Sequence, residues 1–277
     1  MIVEELFSGA DETALSTFRA ALLRGDLAGA LSAIEGAAPE VAAADREILH
    51  GWAAQVADRA HPVDDPAGAA EALAEVLARD RDLRGASEAF ENDWGSHLHQ
   101  VIERRRGLPI LLSAIWMEVG RMAGIEVAGI GLPGHFLVRV GGGRGVYADP
   151  FGGGRLLTPT ECKAIVHRIS GGRAPRHASF LEPRSLQQIA ERVLNNLVRL
   201  YEKDEDWQAL YRTLRFSTAI RPDAAQPLLH RGLAALRLGA SQLARQDLEE
   251  VAQRFSGTPE AHVAAERLEE LGELWLH

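Results

Sequence analysis

Between Leu108 and Val119 the chain is apolar at nearly every position, interrupted by Ser113 and Glu118. A helix on such a stretch buries most of its circumference instead of presenting a single stripe. It is therefore expected at the centre of a domain, running on to about Met122, with the other elements gathered around it. Pro109 suits its first turn, where the missing N–H would have no intrahelical partner. The stretch is too short to span a bilayer.

The flanks differ in kind. Residues 12 to 82 are rich in Ala, Leu, Glu and Arg, and Leu15, Phe18, Leu22 and then Leu27, Leu31, Ile34 recur at helical spacing. Short antiparallel helices are expected there, punctuated by Gly25-Asp26, Ala38-Pro39 and Asp64-Asp65-Pro66. From 87 to 182 glycine becomes frequent, and Val127 to Ile130, Phe136 to Val140 and Val146 to Ala148 alternate as strands do. Thr158-Pro159-Thr160-Glu161 is a capping box with proline at the first helical position, so a helix carrying Cys162 should begin there. Beyond Pro183 the pattern is helical again. Residues 219 to 224 are loosely echoed at 255 to 261, a spacing close to a tetratricopeptide repeat, and Leu229, Gly232, Ala235 and Leu236 suit the crossing of a helix pair. A generic helical bundle fits the same residues. The expected class is α+β, with boundaries at 1–86, 87–182 and 183–277.

Two residues in the middle carry the chemistry. His135 opens the segment Gly134 to Val140, and Asp149 closes Val146 to Asp149 across the glycine-rich Gly141 to Gly145. A turn centred on Gly142 would set His135 directly opposite Asp149 on one face of a hairpin, with Cβ atoms roughly 5 Å apart. A carboxylate at that distance holds an imidazole in one tautomer, as a general base requires.

Three blocks, Gln100 to Ser113, Gly131 to Phe136 and Asp149 to Leu157, resemble the SirB-type family of bacterial transglutaminase-like proteins with tetratricopeptide repeats. The resemblance implies a papain-like core in which a Cys at the start of the central helix attacks an amide carbonyl while the strand His and Asp activate it. Counting back from Gly124 by the superfamily's usual interval places Pro109 at that cysteine's position. Proline has neither a nucleophilic atom nor an N–H for an oxyanion, so His135 and Asp149 are expected as a remnant dyad.

Other candidates each have a plainer reading. Ser113, one turn beyond Pro109, is a replacement nucleophile or a hydroxyl bonded back into its own helix. Cys162 is a nucleophile or a small buried hydrophobe. His97 and His99 would share a face on a strand but diverge on a helix, so no metal site is expected. Asn92, Trp94, Arg105 and Phe151 line a ligand groove beside the dyad or, for the aromatics, fill core. Arg104, Arg105 and Arg106 clamp a carboxylate or pair with acidic helices of the same chain.

A net charge of -9 opposes a nucleic-acid face. A single cysteine rules out an internal disulfide and fits a reducing compartment, and the acidic start Met1 to Leu6 does not resemble a secretory signal. The expected protein is cytoplasmic, without cofactor or membrane span. It acts as a non-catalytic module binding a protein or peptide, with its oligomeric state not legible. The alternative is a cryptic amide or peptide hydrolase or acyltransferase, using Ser113 or a water activated by His135 and Asp149.

Overall fold

A computed structural model describes residues 9–60, 65–143, 145–169, 171 and 178–273. Met1 to Leu6, Asp64 and Arg144, which entered the readings above, lie outside these residues. By packing the chain divides into two compact units, residues 21–193 and residues up to 20 together with those from 194. The helices between Leu27 and Asp80 thus fall in the same unit as the sheet.

The larger unit opens with the end of α1 (Gly9–Arg24), then α2 (Leu27–Glu35), α3 (Pro39–Arg59) and α4 (Pro66–Leu73), which continues as a π-helical segment to Asp80. The expected punctuation is present: Asp26 and Asp65 cap α2 and α4 through their side chains, and Pro39 and Pro66 take first-turn positions. A short parallel bridge, β1 (Arg84–Gly85) with β2 (Arg106–Gly107), brackets α5 (Leu98–Arg104). Then comes α6 (Pro109–Met122), in which eleven of fourteen residues are buried. Pro109 takes its first turn, and Leu108 before it is extended at ψ 155°. The polar Glu118 is accommodated because its carboxylate accepts the Leu27 N–H at 3.2 Å and pairs with Arg121 at 2.8 Å.

The sheet is antiparallel in the order β3 (Val127–Leu132), β4 (His135–Val140), β5 (Val146–Asp149), β6 (Arg155–Leu157). The alternating pattern revealed the first three strands. It missed β6, which is three residues long and half exposed. Pro183 bridges to Ile130, and the Arg184 N–H donates to the Gly129 carbonyl at 2.8 Å, so the open edge of β3 is partly covered. One face of the sheet packs on α6, where Met117 and Phe136 crowd the Gly129 position. The other is closed by α7 (Pro159–Ile169), started by the expected capping box: the Thr158 N–H donates to Glu161 at 2.8 Å and the Glu161 N–H to Thr158 Oγ1 at 3.3 Å.

The smaller unit contains α9 (Trp207–Ile220), α10 (Ala225–Arg237), α11 (Ser241–Arg254) and α12 (Pro259–Glu273), packed in succession behind the C-terminal part of α8 (Leu186–Lys203). Their core includes Leu214, Leu229, Ala235, Leu248 and Val251. A buried Arg231–Asp247 pair, 2.5 Å at its shorter contact, ties α10 to α11, and Phe18 meets Phe216 edge-on at 5.1 Å. Among the described residues no helix is long and apolar enough to cross a membrane.

Two predictions follow from this packing. Trp116 is wholly buried in α6, so Trp116→Ala should cost about 3–5 kcal/mol in denaturant unfolding. The second concerns His99, whose Nδ1 lies 2.9 Å from the buried Asp45 carboxylate and whose backbone N–H donates to Glu35 at 3.0 Å. The bond to Asp45 raises the imidazole pKa, and burial raises that of Glu35. A raised histidine stabilises the fold fully below its unfolded value of about 6.5, and that stability is lost as pH rises through the folded value. Glu35 acts in the same direction from a lower pH, since the folded state holds its proton more tightly. Urea midpoints should therefore fall as pH rises from about 6.5 through the raised histidine value, and Asp45→Asn should flatten that fall.

Candidate functional site

The hairpin of β4 and β5 brings His135 and Asp149 together, with Nε2 3.1 Å from Oδ1. The register differs from the simple expectation. Val138 pairs with Ala148 and Val140 with Val146, so the turn is centred on residue 143 and Asp149 continues the ladder opposite Leu137. Moving a turn centre by one residue shifts pairing by two, which keeps both side chains on the same face. The pair therefore meets diagonally and not head-on. Asp149 is braced by the Gly152 N–H at 3.0 Å. With Nε2–H given to the carboxylate, the lone pair of the ring resides on Nδ1. The side chains are 11% and 13% exposed, so the pair is largely shielded from water.

Phe151 forms the next wall, its ring edge-on to His135 at 5.8 Å and to Phe90 at 5.9 Å. Glycine is required at position 85 for this: a Cβ there would fall within the Phe151 ring, and the Gly85 N–H donates to the Phe151 carbonyl at 3.0 Å. Phe90 is 52% exposed, and Ile169, which abuts Gly134, is 47% exposed. The dyad thus carries an apolar rim. Phe90 and Ile169 were not singled out from the sequence. Each stands alone among polar neighbours, and single exposed hydrophobes carry no signal until the fold gathers them. The loop behind Asp149 is held close by Gly154 at φ +79°, where a Cβ would lie 3.0 Å from that of Ala74 and 3.1 Å from the Trp116 ring.

The other candidates are dispersed. Alternation along β4 puts His135 with Leu137 on the face that α7 closes, whereas α6 lies on the Phe136 face. Pro109 is buried at the first turn of α6. It is joined to the dyad's surroundings through Gly107, which pairs with Gly85 beneath Phe151. Ser113 is wholly buried, and its hydroxyl points to the Phe136 carbonyl at 3.5 Å. Trp94 lies under the Arg104 guanidinium at 5.0 Å, and the Asn92 amide donates to the Glu88 carbonyl at 2.8 Å. No hydrogen bond or ring contact joins either to the dyad among the described residues. Arg105 turns instead to α3, where its guanidinium covers Trp52 at 4.7 Å.

Cys162 shares the dyad's face. It is fully buried with Leu132, Leu137, Ile165 and Val166, and desolvation, helped by Glu161 and Asp149, pushes its thiol up to about 11. A thiol so held carries almost no thiolate near neutrality. His97 precedes α5 and His99 lies within it, and no group of three metal-ligating side chains occurs among the described residues.

Comparison with known proteins finds relatives of this chain. The UPF0162 protein of Xylella fastidiosa strain 9a5c is 36% identical over 178 residues, 63% of this chain and 63% of the relative, so the chain spans less than two thirds of that protein's length. UPF0162 protein PA3419 of Pseudomonas aeruginosa is 30% identical over 194 residues, covering 68% of this chain and 69% of its own. F-box only protein 21 of Homo sapiens is 28% identical over 181 residues, 61% of this chain and 28% of that longer protein. No solved structure matches. The transglutaminase-like superfamily profile matches residues 44–195, which include α6, the whole sheet and both members of the dyad, and the chain belongs to that superfamily.

Proposed function

We propose that this chain is a non-catalytic, SirB-type transglutaminase-like protein that binds a protein or peptide segment in the recess around His135 and Asp149, as a cytoplasmic regulatory module. The observation that carries the reading is a histidine–aspartate pair at 3.1 Å beside the Phe151 ring, with no hydroxyl or thiol hydrogen-bonded to it among the described residues. Pro109 stands at the nucleophile's position, Ser113 is sealed in the core, and the Cys162 thiol is inert. Phe90 and Phe151 offer an extended segment apolar contacts beside a hydrogen-bonding imidazole, with Ile169 exposed next to Gly134. We assign residues 87–182 as the recognition domain, residues 1–86 as an N-terminal helical region, of which 21–86 pack in the same unit as that domain, and 183–277 as tetratricopeptide-like helices. The successive packing of α9 to α12 supports the last of these. An acidic net charge of -9 argues against nucleic acid as the partner.

A cryptic hydrolase or acyltransferase is the competing reading. It is favoured by one feature, a free Nδ1 on an imidazole oriented by a carboxylate, which could take a proton from a water. Turnover of amine donors, glutamine peptides or generic protease substrates should be absent in the wild type. A rate that disappears in His135→Ala would establish catalysis instead.

Two further outcomes are expected. Peptides selected from a random displayed library should lose affinity about tenfold or more on Phe151→Ala, measured by fluorescence polarisation. Pro109→Cys should install a thiol that alkylates with iodoacetamide well below the ordinary thiol pKa of about 8.5. Its reactivity should revert in the Pro109→Cys, His135→Ala double variant, while the wild-type chain, with only Cys162, stays unreactive until unfolded. An unperturbed thiol at 109 would show that this position is not the nucleophile's.

A further inference from the structure

Away from the dyad, the αL turn that ends α5 carries an unusual concentration of uncompensated positive charge. Arg105 adopts φ +58°, a conformation costly for a residue with a side chain. Three backbone contacts hold it there: its N–H donates to Val101 at 3.0 Å, and its carbonyl accepts from the Arg84 N–H at 3.1 Å and from Arg106 Nη1 at 2.8 Å. One face of its guanidinium is covered by the ring of Trp52, itself 5% exposed, at 4.7 Å. That leaves the planar edge as the part available for recognition.

One nitrogen of that edge has no partner among the described residues. Arg105 Nη1 is buried and has no hydrogen-bond acceptor, a state in which native structures usually hold a water or an ion. Arg81 lies close enough for its charge to add to the burial that depresses the Arg105 cation. Its own guanidinium is steered by the Gln55 side chain at 2.5 Å. The carboxylates nearest in sequence are engaged elsewhere, Asp80 with Arg59 at 2.7 Å and Asp82 with Arg106 at 2.7 Å. Neither Arg81 nor Arg105 has an ion-pair partner among the described residues. Two like charges held near one another, neither with an ion-pair partner among the described residues, repel, and a bound anion would relieve that repulsion.

We propose that Arg81 and Arg105, backed by Trp52 and Gln55, form a binding site for a phosphate group. Two guanidiniums match a dianion and its three peripheral oxygens, whereas a single carboxylate would leave one positive charge uncompensated. The phosphate comes either from the free ion or from a phosphorylated side chain. The site is independent of the recess at His135, and neither proposal depends on the other.

Calorimetric titration of the full-length protein at about pH 8, where phosphate is largely dianionic, tests this with inorganic phosphate, sodium acetate, and a phosphoserine peptide beside its unphosphorylated form, all at one ionic strength. Saturable binding of phosphate at one site is expected, with acetate weaker. Arg81→Gln should weaken phosphate binding about tenfold or more. Arg105→Lys, which keeps the charge but loses the fork, should also weaken it. Among the described residues the Arg81 side chain bonds only that of Gln55, so Arg81→Gln is expected to fold, as an unchanged thermal midpoint without phosphate would verify. A phosphopeptide binding more tightly than the free ion identifies a phosphorylated chain as the source, and the reverse identifies the ion. Absence of saturable phosphate binding, or phosphate affinity unaltered in folded Arg81→Gln, overturns the site.

Discussion

The larger unit depends on the removal of α6 from water. Eleven buried residues along one helix leave little of its surface for solvent, so α3 and α2 must pack on one side of it and the sheet on another. The burial is tolerable because the carboxylate and the hydroxyl drawn in with it are paired, although the Trp116 indole Nε1 has no hydrogen-bond partner among the described residues. Glu118 receives an amide from α2 and a guanidinium from its own helix. The hydroxyl of Ser113 meets a strand carbonyl. Once α6 is fixed, the strand beside it is fixed, and with it the start of the hairpin that carries His135.

Much of this arrangement was legible from residue pattern. Apolar periodicity located the helices, and Asp26, Pro39, Pro109 and the Thr158–Glu161 box marked their starts because those residues act within a few positions of where they stand. The pairing of His135 with Asp149 was legible too, although by a register two positions away from the simplest one. What the pattern did not contain was long-range. Arg105 could not be known to cross to Trp52, fifty-three positions earlier, nor could Gly85 be known to make room for Phe151. Such contacts depend on which segments the fold brings side by side, and no periodicity encodes that. The expected groove consequently separates into distinct places: Phe151 at the dyad, Trp94 beneath Arg104, and Arg105 on α3.

The superfamily resemblance and the geometry bear on different questions. Membership identifies the superfamily to which the domain belongs. The geometry identifies what the present residues can do, and fold alone does not transmit activity. An imidazole held by a carboxylate stands beside the Phe151 ring with little exposure to water. Its Nδ1 remains a hydrogen-bonding group whether or not any bond is broken.

The contact between Gly154 and Trp116 has a consequence for how the recess and the core communicate. The loop that braces Asp149 rests directly on the most voluminous of the fully buried side chains, so the two cannot loosen independently. A segment bound beside His135 would slow amide hydrogen exchange deep within α6, far from any atom it touches. By the same linkage, a small repacking around that indole would weaken capture at a surface it never reaches.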